Sequence, residues 1–93
     1  MGSTIIRKGV KLDNLIQIAH NVEIGENTVI AAQTGISGST KIGKNVFCGA
    51  NVLFAENIEI GNMSSIIFGS NVLTNVPSKK TAYGNPAKIL DYV

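Results

Sequence analysis

An apolar residue returns at every sixth position through Ile6, Leu12, Ile18, Ile24, Ile30, Ile36, Ile42, Cys48, Phe54, Ile60, Ile66 and Val72. A helix needs apolar positions three or four apart, and a half-buried strand needs every second one. A strict six held over twelve units belongs instead to a repeat architecture, in which each unit buries its apolar side only by stacking on the next.

The other positions of the unit agree. Counting from the apolar residue, the fifth position is β-branched or small throughout, from Val10, Ile16 and Val22 through Thr28, Thr34 and Thr40 to Val76. The second position holds small residues in its middle stretch (Ala19, Gly25, Ala31, Ser37, Gly43, Gly49, Ala55, Gly61), which implies crowded backbone. The fourth position is dominated by Asn21, Asn27, Asn45, Asn51, Asn57 and Asn75, a residue type that tolerates positive φ and so marks a sharp bend. A short strand and a bend in every unit describe an all-β chain, a parallel β-helix of hexapeptide repeats. Three bends close a triangle, so one coil takes eighteen residues and this chain of 93 holds about four coils. The repeat domain is expected over residues 1–77 and a C-terminal tail over 78–93. Regularity weakens after Ile60, where Met63 replaces a bend residue and Ile67 and Leu73 put bulk where the second position was small. Pro77 suits a stop to strand pairing. The tail reads as a turn around Tyr83-Gly84-Asn85-Pro86 followed by a short terminal segment of one or two helical turns. Met1 enters directly in register with no cap, which leaves an open strand edge and is read as the sign of a missing upstream part.

Composition narrows the partners. A chain this short is marginal unless stapled or assembled, so an oligomer is expected. Cys48 is the single cysteine and falls in the apolar register, which fits a buried thiol and a reducing compartment. No apolar run approaches membrane-spanning length, and the N-terminus lacks a charged-then-apolar signal pattern, so a soluble cytoplasmic protein is expected. A net charge of +2 with scattered Lys and Arg, two Tyr and no Trp argues against nucleic acid as a partner.

His20 is the only histidine. It stands at a corner position beside a bend, with its ring expected to point away from the interior. Gly38 follows eighteen residues later, so it stacks on the next coil directly beside His20, and its missing side chain opens its N–H to a ligand. Around these residues the segment DNLIQIAHNVEIG, from Asp13 to Gly25, and its continuation ENTVIAAQTGISGSTKIGKN resemble the hexapeptide domain of the bacterial UDP-3-O-acyl-glucosamine N-acyltransferases of lipid A biosynthesis. The resemblance covers residues 2–50 well and the remainder more loosely. Hexapeptides are shared by many acyltransferases, whereas IAHNV preceded by DN is more specific. The sister O-acyltransferases usually carry Asp after the histidine, so Asn21 favours the N-acyl family.

The resemblance implies a left-handed β-helix, against the usual right-handed crossover preference. It implies a homotrimer with active sites in clefts between subunits. His20 would be the general base that takes a proton from an attacking amine, and Gly38 the oxyanion donor. Asp13, Asn21 and Asn57 would stand near the substrate, with Asp13 orienting the imidazole or lying as a solvated corner carboxylate. No permanently bound cofactor or metal is implied. The donor would be the acyl-phosphopantetheine of acyl-carrier protein, and the acceptor a UDP-sugar. The family commonly carries another histidine at the position matching Asn57, within a Gly-His pair where this chain has Glu56-Asn57. It also has an N-terminal nucleotide-gripping domain and C-terminal helices that help dock acyl-carrier protein, so a fragment or a shortened relative is expected.

Two other readings stand beside this one. The ending YGNPAKIL resembles the G-x-PAK ending of acetyl-CoA-dependent hexapeptide acetyltransferases, with a sugar or amine acceptor. Lys41, Lys44, Lys79 and Lys80 would then meet donor phosphates, or else form a solvated surface. The missing domains and Asn57 also suit a non-catalytic trimeric scaffold. A metal-dependent hydratase of the same fold needs several histidines, and this chain has one.

Overall fold

The computed structural model describes residues 2–90, and these form a triangular prism with extents of 40 × 24 × 22 Å. Face I stacks β1 (Ile5–Ile6), β4 (Glu23–Ile24), β7 (Lys41–Ile42) and β10 (Glu59–Ile60). Face II stacks β2 (Lys11–Leu12), β5 (Val29–Ile30), β8 (Phe47–Cys48) and β11 (Ser65–Ile66), and face III stacks β3 (Gln17–Ile18), β6 (Gly35–Ile36), β9 (Leu53–Phe54) and β12 (Asn71–Val72). Through these strands all pairing is parallel and joins residues eighteen apart, as in Ile6 with Ile24 and Ile18 with Ile36. The twelve apolar repeat residues are the second residues of these twelve strands, so the sequence period is the strand period.

Alternation along each two-residue strand sends the second side chain inward. Ile24, Ile30, Cys48 and Ile66 are wholly buried, and Phe54 nearly so. The fifth-position side chains join this core. The hydroxyl among them is satisfied rather than stranded: Thr28 Oγ1 donates to the Gly43 carbonyl at 2.7 Å and accepts from the Val46 N–H at 3.1 Å. Thr40 Oγ1 likewise donates to the Ala55 carbonyl at 2.7 Å. Thr28 and Thr40 therefore tie their coils to the one above at a place where water is absent, while the buried Ser64 and Ser70 hydroxyls donate within their own coil, to Gly61 and Ile67.

The bends follow from the fourth position. Leu15, Asn21, Asn27, Gln33, Ser39, Asn45, Asn51, Asn57 and Met63 all take φ between 54° and 61°, and Gly9 and Gly69 also take positive φ. At Leu15 and Met63 the side chain does not favour this conformation. The stacked neighbours impose it, so the expected loss of regularity after Ile60 does not interrupt the coil, and β11 and β12 form in register. Crowding at the second position is literal: a Cβ on Gly25 would lie 2.5 Å from the carbonyl carbon of Gly43 in the coil above. Asn75 departs from its column. It has no positive φ, and its Oδ1 accepts from the Glu59 N–H at 2.8 Å.

The tail differs from its sequence reading. Val76 bridges to Ile60, and Thr81–Gly84 (β13) then pairs in parallel with β11 on face II. After a turn with a cis Asn85–Pro86 bond, Ala87–Leu90 (β14) returns antiparallel along β13. The expected turn is present, but residues 87–90 are a strand rather than a helical turn; the rest of that expectation, residues 91–93, lies outside the described residues. The free edge of β13 explains the strand, because it offers unpaired backbone groups that a returning extended segment satisfies. Among the described residues no helix is long and apolar enough to cross a membrane.

Burial pushes the Cys48 thiol up to about 12 from an ordinary 9.0. The folded state therefore holds the neutral thiol. The associated stability is complete below the unfolded thiol's value and is lost as pH rises from about 9 through 12. At pH 8 a thiol reagent should label Cys48 readily in denaturant and about 100-fold more slowly in native buffer; equal rates would contradict its burial.

Candidate active site

Because each corner recurs once per coil, residues eighteen apart form columns, and the three corners differ in chemistry. The corner between faces I and II carries Arg7, Lys8, Glu26 and Lys44. The corner between faces II and III carries Leu15, Ala32, Ala50 and Phe68, with Leu15 and Phe68 67% and 68% exposed. The corner between faces III and I carries His20.

On that third corner Gly2, His20, Gly38 and Glu56 follow one another in a single column. Backbone bonds fix the stack: the Ser39 N–H donates to the His20 carbonyl, and the Asn57 N–H to the Gly38 carbonyl, both at 3.0 Å. His20 is exposed and Gly38 buried. A Cβ on Gly38 would lie 2.8 Å from both Cε1 and Nε2 of His20 and 3.3 Å from Nδ1, so the imidazole rests directly against the glycine. Gly38 has no positive φ. The glycine is required here for the close approach of the ring rather than for a turn. No backbone carbonyl among the described residues accepts from the Gly38 N–H. The corner thus offers a proton acceptor on an exposed imidazole and, beside it, an N–H donor that the coil does not use.

The other expected site residues are placed differently. Asn21 takes φ 58° and turns its side chain down against Gly2, where its Oδ1 is buried without a hydrogen-bond partner. Asn57, at φ 59°, forms the bend two coils above and is exposed. Asp13 stands at the corner between faces II and III, where its Oδ1 accepts from the Asn14 N–H at 2.7 Å. Within one chain the structure does not bring Asp13 to His20. Seven residues carry the chain past one whole face to the next corner.

Two grooves flank the prism. The smaller, about 470 Å³, runs over face III between Gln17 and Leu53 with Gly35 as its floor, and it opens at Ala19 and Ser37 beside the histidine corner. The larger, about 590 Å³, follows face I and the charged corner past Arg7, Glu23, Lys41, Lys44 and Glu59. Its lining includes neither His20 nor Gly38. There Arg7 Nη2 lies 2.8 Å from Glu23 Oε2, and this hydrogen bond holds the Glu23 carboxyl below the ordinary carboxylate range. Such an exposed pair contributes little to stability. Lys41 and Lys44 belong to this groove and Lys79 and Lys80 to the C-terminal end, so no lysine stands on the histidine corner. Sequence reading missed the face III groove. A small residue at Gly35 between Gln17 and Leu53, each eighteen residues away, was its signal.

Residues 3–38, which include His20 and Gly38, match the family model of the bacterial transferase hexapeptide (six repeats). Over that stretch, about two fifths of its length, the chain is similar to the hexapeptide transferases. A 22-residue stretch is 86% identical to the UDP-3-O-acylglucosamine N-acyltransferase of Phocaeicola vulgatus, covering 24% of this chain and 6% of that protein. The same stretch length and identity are found with the enzyme of that name from Christiangramia forsetii. Among solved structures, serine acetyltransferase from Neisseria gonorrhoeae in complex with serine is 30% identical with a TM-score of 0.72, over 92% of this chain and 41% of that one. A serine acetyltransferase in complex with CoA is 27% identical with a TM-score of 0.78, over 91% and 41%. The chain therefore spans a small part of the curated relatives and about two fifths of these solved chains.

Gly38→Ala should displace the His20 ring while leaving the coil intact, since the added methyl meets an exposed side chain. The His20 ring resonances should shift, with stability unchanged within about 1 kcal/mol. Unshifted resonances would contradict the packing.

Proposed function

We propose that this chain is the catalytic core of a cytoplasmic acyltransferase that moves an acyl group from a thioester to a nucleophile held at the His20 corner. The observation that carries this reading is the contact of the His20 imidazole with Gly38, whose N–H has no backbone acceptor. The acceptor nitrogen adds to the thioester carbonyl carbon as His20 takes its proton. The Gly38 N–H donates to the oxygen that becomes negative. Collapse of the tetrahedral species breaks the carbon–sulfur bond, and the departing thiolate recovers the proton from the imidazolium.

The first reading of the substrates is an acyl chain on acyl-carrier protein and the amine of a UDP-3-O-acyl-glucosamine, as in lipid A biosynthesis. It is supported by the 22-residue stretch shared with the N-acyltransferases. The second is acetyl transfer from acetyl-CoA to a sugar or amine, supported by the likeness to a serine acetyltransferase in complex with CoA. In either case His20→Ala should lower the rate constant for transfer at least 100-fold, measured as thiol release from each donor with amino-sugar acceptors. Normal turnover by that variant would refute the role of His20.

The working unit of this proposal is a homotrimer. Face III carries Leu53, 57% exposed, and is bordered on one side by Leu15 and Phe68 and on the other by His20. Three parallel prisms that turn face III toward a common axis set the Asp13 corner of one copy against the His20 corner of the next. Asp13 and His20 lie on the same coil, so they meet level. This supplies to the imidazole the carboxylate that its own chain withholds. Light scattering should report three copies for the wild type and a single copy for a Leu53→Asp, Phe68→Asp double variant; a monomeric wild type at tens of micromolar would overturn the arrangement.

A further inference from the structure

Glu56 follows Gly2, His20 and Gly38 in their column, and it is exposed. Among the sixteen residues that make this corner over four coils (19–22, 37–40, 55–58 and 73–76) it is the only Asp, Glu, Lys or Arg. Its carboxylate takes part in no ion pair among the described residues. Glu26 on another corner stacks between Lys8 and Lys44, whereas Glu56 is flanked within its corner by Ala55, Asn57, Ser39 and Thr74, with Lys41 and Glu59 on the adjoining face I. Strand spacing puts the Glu56 backbone about 4.8 Å from that of Gly38 and about twice that from His20, so a small molecule lying along the column spans from the His20 ring to Glu56.

We infer that Glu56 selects the acceptor: it draws a protonated amine, in preference to a neutral hydroxyl compound, onto the corner where His20 and the Gly38 N–H stand, and the ammonium gives one proton to bulk water before the neutral amine adds to the thioester. This deepens the acyl-transfer reading by naming the residue that sets the acceptor class. A carboxylate with no competing cation on its corner attracts an ammonium and gives no comparable gain to an uncharged sugar. The effect is bounded, because an exposed ion pair in water is weak, and it fades as pH rises above the pKa of the amine.

The test is a chemical-shift titration of the intact chain with glucosamine and with glucose at equal ionic strength, read at the Gly38 and Ser39 amides. Wild type should bind glucosamine about three-fold more tightly than glucose. Glu56→Gln should lose that preference, and Glu26→Gln, on another corner, should keep it. Equal affinities in the wild type, absence of binding, or a preference that survives Glu56→Gln would each overturn the inference. His20→Ala keeps the base reading separate. It should retain the glucosamine preference while losing transfer, so an acyl-transfer reading that fails leaves the binding result standing, and the reverse also holds.

Discussion

The fold depends on one constraint, the eighteen-residue return of backbone pairing. Every coil donates N–H groups up the prism to the coil above and down to the coil below, as in Gly25 to Ile42 at 2.8 Å and Ser39 to His20 at 3.0 Å. A single added residue in any corner would rotate all later side chains out of their columns. That is why the inward column tolerates exchanges of Ile for Leu, Phe, Cys or Val while the period itself never changes. The apolar contact and the pairing reinforce each other: two-residue strands have too few bonds to persist alone, and the stack gives each of them a partner on either side.

The same constraint separates structure from chemistry. Positions one and five point inward and are used up by the core, so whatever the protein does must be written on positions two, three, four and six. Each corner then acquires its own character from the residues its columns stack. One corner sums to charge, one to exposed apolar surface and one to His20, Gly38 and Glu56. The site is thus assembled from residues far apart in sequence without any loop, and its rigidity is that of the backbone stack. A glycine in such a column serves the residue one coil away more than its own conformation, as Gly38 does for the His20 ring.

Much of this was legible beforehand because the repeat converts sequence distance into spatial distance. The coil length, the inward column, the crowding at Gly25 and the contact of His20 with Gly38 are all counts of eighteen. What escaped the count escaped for physical reasons. Met63 weakened the pattern of bend residues, but one unfavourable φ is a small cost beside the neighbours that hold the coil in register. The tail after Pro77 has no period, so it was read by local propensity. The edge of β13 overrode that propensity and drew Ala87–Leu90 into a strand. Asp13 was expected near the site from the family resemblance, with a solvated corner carboxylate as the alternative; a triangular coil puts residues seven apart on different corners of one chain. Glu56 passed as half of a substituted pair because its meaning lies in the lack of other charges on its corner, a property of the column rather than of the segment.

By itself, the sequence determined the architecture, since a six-residue period in apolar side chains has only one kind of solution that buries them all, and with it the stacking of His20 under Gly38. Only the tertiary structure decided what surrounds that pair. It decided that Asn21 turns its amide down against Gly2, that the Gly38 N–H has no backbone acceptor, and that a hairpin closes face II at its end. Periodicity fixes where a Cα lies in the stack. The direction of a side chain, and the fate of a segment outside the repeat, depend on which neighbouring groups still lack a partner.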